Sequence, residues 1–220
     1  VTTHTILLAS GSPRRRELLS LTGLSFQRVT ADIDETPFPG ETARDYTVRL
    51  SQAKAHAAQQ SAPRDVLILA ADTTVADGET ILGKPADADE ARAMLVQLRG
   101  RTHQVYTALT VIDTASGRSL TDVAVTNVPM RDYSDAEIEA YIASGDPFDK
   151  AGGYAIQNAG FLPARLTSGC YANVVGLPLC HLLRTLRAFG LTPTNDVPRL
   201  CQRYHAYECD VTGDILADTP

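Results

Sequence analysis

Residues 66–71, Val-Leu-Ile-Leu-Ala-Ala, form an unbroken apolar run that stops at Asp72-Thr73-Thr74. A strand without polar alternation needs apolar cover on both faces. It therefore belongs inside a sheet flanked by helices, which favours an α/β chain. The neighbouring pattern supports this. Thr5–Ala9 reads as a short apolar strand, and Ser10-Gly11-Ser12-Pro13 turns from it into a helix. Ser12 suits the N-cap, Pro13 the first helical position, and Gly23 the end. Residues 24–42 read as a strand and then a polar loop with Asp34-Glu35-Thr36-Pro37. Residues 43–60 read as a helix, with Tyr46, Leu50, Ala53 and Ala57 recurring at three- and four-residue steps.

Further along, Asp77-Gly78 signals a hairpin. Asp87 and Glu90 flank a helix start, and Gly100 closes that helix. Residues 105–113 and 120–129 read as strands around Ala115-Ser116-Gly117. Ser134 and Glu137 form a capping box. Residues 152–169 read as loop plus strand, and residues 177–189 as an apolar helix stopped by Gly190. The tail from Thr192 reads as polar and irregular. A hairpin among alternating helices and strands favours a mixed sheet over a doubly wound parallel one.

A chain of 220 residues is long enough for one large domain or two small lobes. Its net charge of −6 argues against a broad grip on nucleic acid, which needs a basic face. No apolar run approaches the ~20 residues of a membrane span, and Thr5–Ala9 is too short for a signal-peptide core. The expected compartment is the cytoplasm. Four cysteines make no disulfide scaffold. Cys201, His205 and Cys209 stand four residues apart and would line one face of a helix. A zinc site there lacks a fourth ligand and a CxxC, so buried or incidental thiols are the simpler reading.

Three places carry chemistry. Ser10-Gly11-Ser12-Pro13-Arg14-Arg15-Arg16 follows a strand and opens a helix. Helix-start N–H groups attract anions, and arginine grips phosphate oxygens in pairs. Three arginines there oppose the helix dipole unless an anion is bound. Asp72 ends the apolar run, where ligands gather beyond strand carboxyl ends. It suits a metal ligand, a proton acceptor or a simple turn residue. Glu35, in another loop, could join it around Mg²⁺. The third signal is lysine, of which the chain has three against seventeen arginines: Lys54, Lys84 and Lys150. With the arginine loop they outline a cationic pocket in an acidic protein, fit for a small polyanion. No GxSxG supports covalent catalysis.

The motifs Leu8-Ala9-Ser10-Gly11-Ser12-Pro13-Arg14-Arg15, Ala71-Asp72-Thr73, Gly83-Lys84-Pro85, Gly100-Arg101-Thr102-His103, Asp149-Lys150-Ala151-Gly152 and Asn173-Val174-Val175-Gly176-Leu177-Pro178-Leu179 occur in this order. Together they resemble the Maf family of nucleoside triphosphate pyrophosphatases over about residues 5–190. The resemblance implies a mixed, elongated α/β sheet with flanking helices and two lobes around a central cleft, as in the inosine triphosphate pyrophosphatase fold. It makes residues 1–191 one pyrophosphatase domain and leaves 192–220 as a C-terminal extension. It also implies metal-dependent hydrolysis of a nucleoside triphosphate, with Mg²⁺ or Mn²⁺.

By the same resemblance Asp72 is the proton acceptor, assisted by Lys54 and Lys84. Ser10, Ser12, Arg14 and Arg15 handle phosphate, and Glu35 and Asp72 hold the metal. Arg14, Thr73 and Gln157 mark the branch acting on dTTP and UTP; the branch preferring 7-methyl-GTP usually carries an aromatic residue in place of Arg14. A homodimer, clearance of modified nucleotides and a link to arrest of cell division are further implications. Neither nucleic acid nor membrane is an expected partner. Ala155 and Asn158 stand where the family commonly has glycine. Two rival readings follow: the same chemistry on modified or other-base triphosphates, and a nucleotide-sensing division regulator without turnover.

Overall fold

The computed structural model describes residues 5–218. Five strands form a mixed sheet in the order β2-β1-β3-β5-β6: β1 (Thr5–Ala9), β2 (Phe26–Val29), β3 (Val66–Asp77), β5 (Thr102–Asp113) and β6 (Ser119–Pro129), with β4 (Thr80–Leu82) hairpinned onto the end of β3. β1 runs parallel to β2 and β3, whereas β5 and β6 are antiparallel. The helices are α1 (Pro13–Ser20), α2 (Ala43–Gln59), α3 (Ala88–Leu98), α4 (Asp135–Ala143), α5 (Tyr171–Val175), α6 (Leu179–Ala188), α7 (Val197–His205) and α8 (Thr212–Ala217). No helix among the described residues is long and apolar enough to cross a membrane.

The apolar run of β3 divides by parity, as a strand must. Leu67, Leu69 and Ala71 join the larger core, with Leu18, Leu95, Leu109 and Leu182. Val66, Ile68 and Ala70 face the other way and meet Ala55 and Ala58 of α2. Both faces are covered, as an unalternating strand requires.

β3 does not stop at Asp72. It continues to Asp77, because β5 pairs with it from Leu67 through Ala76. On its other edge β1 pairs only as far as Ala70, and β4 begins at Val75. Residues 71–74 therefore have a strand neighbour on one edge only. The opening lies beyond the carboxyl end of β1 rather than of β3, and it brings Asp72, Thr73 and Thr74 to a cleft.

Other sequence expectations shift for local reasons. The buried stripe of α2 is Ala43, Thr47, Leu50, Ser51, Ala55 and Ala58. Thr47 and Ser51 can be buried because their hydroxyls bond Ala43 O (2.6 Å) and Thr110 Oγ1 (2.8 Å). Residues 152–169 contain no strand. Two short 3₁₀ turns, Asp146–Asp149 and Ala151–Gly153, lead into a loop with one bridge, Met130 to Ala164. Gly152 holds φ +70°, and a Cβ there would stand 2.9 Å from Val75 Cγ1, so this turn is pressed against β3.

The tail is helical rather than irregular. Asp196 caps α7 by accepting from the Arg199 N–H (3.2 Å), and Val197 is fully buried in the main core. Ala206 at φ 48° ends α7, so Cys209 lies beyond it and does not share a helix face with Cys201 and His205.

Candidate active site

The opening in β3 forms one wall of a cavity of about 670 Å³, within the range that encloses a nucleotide-sized ligand. The β1–α1 turn, the 30–35 loop, one row of α2, the 81–84 turn and the 149–157 segment supply most of the rest, with Val105, Val174 and Val175 behind them. The α2 row is Tyr46-Leu50-Lys54, three residues at four-residue steps on one helical face.

At its centre Lys54 Nζ lies 2.6 Å from Glu35 Oε1 and 2.6 Å from Asp72 Oδ1. One ammonium thus joins two carboxylates from separate loops and strands. Asp72 is buried, whereas Glu35 is half exposed. Burial opposes the charge on Glu35. The Lys54 ammonium outweighs it, with Lys84 and Arg15 behind, and holds its carboxyl below the usual range. The second oxygen of Asp72 has only a 3.5 Å contact from the Thr74 hydroxyl.

α1 points its N-terminus at this cluster. The Ser12 hydroxyl accepts from the Arg15 N–H at 3.5 Å, and the first turn carries no acidic residue. The three arginines divide their work. Arg14 lines the cavity and reaches Asp149 Oδ2 at 3.5 Å. Arg15 lies deeper and donates to Gly176 O (2.8 Å), Ser10 Oγ (3.3 Å) and Thr73 Oγ1 (3.0 Å). It therefore ties together the α1 turn, β3 and the α5–α6 turn, and Thr73 is held by it and by Thr107 (3.0 Å). Arg16 faces solvent.

Lys84 and Gln157 also line the cavity and are exposed. Lys84 has no ion-pair partner within 4 Å among the described residues. Lys150 lines it too, but its buried ammonium is taken by Asp146 (2.9 Å) and Asp149. It contributes structure here rather than a free cation.

Sequence reasoning missed several lining groups. Tyr46 donates to Glu35 O at 2.8 Å and so anchors the acidic loop. Burial, with Asp72 and Glu35 nearby, pushes its phenol up to about 12, which keeps it a neutral donor. Its place four and eight residues before Leu50 and Lys54 was the available signal. Asp32, Asp149 and Tyr154 line the cavity as well, and of these only Asp149 stands within one of the motifs above.

Tyr154 is buried, and its hydroxyl lies 2.7 Å from His103 Nε2. Burial lowers the His103 imidazole to about 4, against the pull of Asp77. His181 and His205 are lowered to about 4 for the same reason. A histidine near 6.5 when unfolded takes up a proton between pH 6.5 and 4 that the folded state refuses. Stability is therefore full above about pH 6.5 and declines as pH falls toward 4, by about 3 kcal/mol for His103 alone. Urea unfolding at pH 7 and pH 5 should show this loss, and His103→Gln should shrink it. An unchanged pH dependence in that variant would assign the loss to other groups.

For a metal, the donor set is two carboxylates that already share one cation. Oxygen donors suit hard Mg²⁺ or Mn²⁺, and one or two carboxylates plus substrate phosphates are the usual Mg²⁺ complement. Glu35 and Asp72 fit that role. No group of three or more His, Cys, Asp or Glu residues among those described is arranged to hold a metal by itself. Cys201, His205 and Cys209 are not gathered into such a group. Burial raises the Cys201 thiol to about 12, which favours an inert, protonated group.

The sequence matches the Maf-like protein family over residues 5–189. It is 48% identical to a dTTP/UTP pyrophosphatase of Chromobacterium violaceum, over 84% of this chain and 94% of that protein. It is 48% identical to one of Myxococcus xanthus (84% and 93%) and 44% identical to one of Escherichia coli O157:H7 (84% and 93%). A dITP/XTP pyrophosphatase structure from Mycobacterium abscessus is more distant, with 17% identity, a TM-score of 0.42 and coverage of 84% and 97%. With the family match spanning β1 through α6, and relatives this similar over most of its length, the chain belongs to the Maf-like protein family.

Proposed function

We propose that this protein hydrolyses nucleoside triphosphates to the monophosphate and pyrophosphate, with UTP and dTTP favoured. The observation that carries this is the Glu35–Lys54–Asp72 cluster, set opposite the N-terminus of α1 in one cavity. Relatives named dTTP/UTP pyrophosphatase support the substrate class. A cytoplasmic setting, a homodimer, and roles in clearing modified nucleotides and arresting division belong to the same proposal and rest on the family resemblance.

The triphosphate binds along the Ser10–Arg14 turn, where hydroxyls, backbone N–H groups and Arg14 meet its oxygens. Arg15 holds that turn against β3. Mg²⁺ or Mn²⁺ held by Glu35 and Asp72 would neutralise phosphate charge and make water more acidic. The less engaged oxygen of Asp72 accepts the proton of a water attacking the α-phosphorus, and pyrophosphate leaves. Lys54 holds Asp72 in place at 2.6 Å. Lys84 meets the charge that builds on the leaving pyrophosphate. At the other end Gln157, with no side-chain hydrogen bond among the described residues, offers a donor and an acceptor to the uracil or thymine edge.

Pyrophosphate release from UTP, dTTP, CTP, 7-methyl-GTP and dITP, with Mg²⁺, Mn²⁺ or EDTA, tests this reading. We expect metal-dependent release, with kcat/KM for UTP and dTTP at least about tenfold above CTP. Preference for another base would keep the chemistry and overturn the specificity. Nucleotide binding without turnover would replace the enzyme by a sensor.

A further inference from the structure

We infer that Asp146, which lies outside the cavity wall, is a positioning residue that fixes the segment carrying Gln157 against the base and ties it to Arg14 at the phosphate end of the same cavity. This inference rests on the proposed function above.

Asp146 opens the 3₁₀ turn Asp146–Asp149. Its Oδ2 accepts from the Tyr141 hydroxyl at 2.7 Å and from Asn158 Nδ2 at 3.1 Å. Tyr141 has one proton, and it is directed to Asp146. Its oxygen accepts in turn from the Ala155 N–H at 3.0 Å. Asp146 thus grips both ends of the stretch from Ala155 to Asn158: one through a hydroxyl, the other through an amide. Gln157 lies between those ends and faces the cavity.

The other oxygen of the carboxylate looks toward Arg14. Oδ1 accepts from Lys150 Nζ at 2.9 Å, and the same ammonium bonds Asp149 Oδ1. Asp149 Oδ2 then faces Arg14 Nη1 at 3.5 Å. A charged acceptor strengthens each of these bonds, and the members polarise one another. Gln157 and Arg14 are 143 residues apart in sequence (157 − 14), yet both are placed through one hydrogen-bonded network, buried at Tyr141 and Lys150 and open to solvent at Asp149. Base selection depends on such placement, because a displacement of about 1 Å is enough to lose a well-oriented contact. The Asp72 cluster shares none of these hydrogen bonds.

Tyr141→Phe and Asp146→Asn test the inference. The phenyl ring can keep its stack on Phe161, whose centroid lies 4.3 Å away, while both hydroxyl bonds disappear. We expect the ratio of kcat/KM for UTP to that for CTP to fall about tenfold in either variant, through KM, with kcat for UTP within about threefold of wild type. In the double variant the two effects should not multiply, because both act through one carboxylate. If Asp146→Asn fails to fold, Tyr141→Phe alone decides. An unchanged base ratio, or kcat falling equally for all bases, would overturn the inference. No turnover of any triphosphate by the wild-type protein would instead overturn the proposed function, and the inference with it.

Discussion

Asp72→Asn is expected to lower kcat for UTP about 10³-fold and to leave KM and the fold nearly unchanged. The amide matches the carboxylate in size but cannot take a proton from water. General-base contributions run at about 10²–10⁴-fold, and about 10³-fold corresponds to roughly 4 kcal/mol of barrier. Binding should survive because the Ser10–Arg14 turn and Lys84 do not depend on Asp72, and because Glu35 and the new amide oxygen still offer two oxygen donors for a metal. Folding should survive because Lys54 keeps Glu35 at 2.6 Å, and its remaining contact becomes a hydrogen bond to an amide oxygen. Pyrophosphate release under saturating UTP measures the first effect, and thermal unfolding the second. Turnover near the wild-type rate would remove Asp72 from the mechanism. A large fall in melting temperature would show that the Asp72–Lys54 pair is needed for folding as well.

The way Asp72 is held shows what was legible in the chain. The apolar run before it identifies a central strand, because six residues bounded by polar ones are too short for a buried helix and fit a strand covered on both faces. The strand runs past Asp72 because pairing with β5 extends it, and that partner lies about thirty residues away in sequence. A break in hydropathy marks where cover stops, not where pairing stops. The same distinction applies to α2. Its period announces a helix, but its inward face includes Thr47 and Ser51, and hydropathy alone assigns those to solvent. Lys54 continues the row of Tyr46 and Leu50 at the cavity, at the border of that buried stripe. Lys150 is the converse case. Its scarcity value as a lysine was visible, but its pairing with Asp146 and Asp149 depends on a 3₁₀ turn pressed against β3. The end caps at Ser12, Asp87 and Ser134 were legible, since each acts on a residue three positions away. The tail was not, because α7 is defined largely by what it packs on.

Lys54→Met should both destabilise the protein and cost most of its turnover. Lys54 is largely buried, Asp72 is buried, and each ion-pair contact is 2.6 Å. Removing one partner from a buried pair typically costs about 3–5 kcal/mol, because the remaining charge keeps its desolvation penalty. Here the low end applies, about 3 kcal/mol, since Glu35 is half exposed and Arg15 still faces Asp72 electrostatically. Two carboxylates left facing each other also resist sharing the site as anions. Without the ammonium that holds it, the acceptor that hydrolysis needs is no longer fixed in place, so kcat should fall by at least about 10²-fold. Lys54→Arg separates the two effects. It restores the charge and should recover most of the stability. Its planar fork does not reproduce a compact ammonium placed between two oxygens, so turnover should stay at least about tenfold low. Urea unfolding and pyrophosphate release on the same preparations give both numbers. Wild-type stability in Lys54→Met would mean that the pair is screened by solvent and that Asp72 is held in place by its strand. Full activity in Lys54→Arg would mean that only charge is required at this position, and not the shape of the lysine.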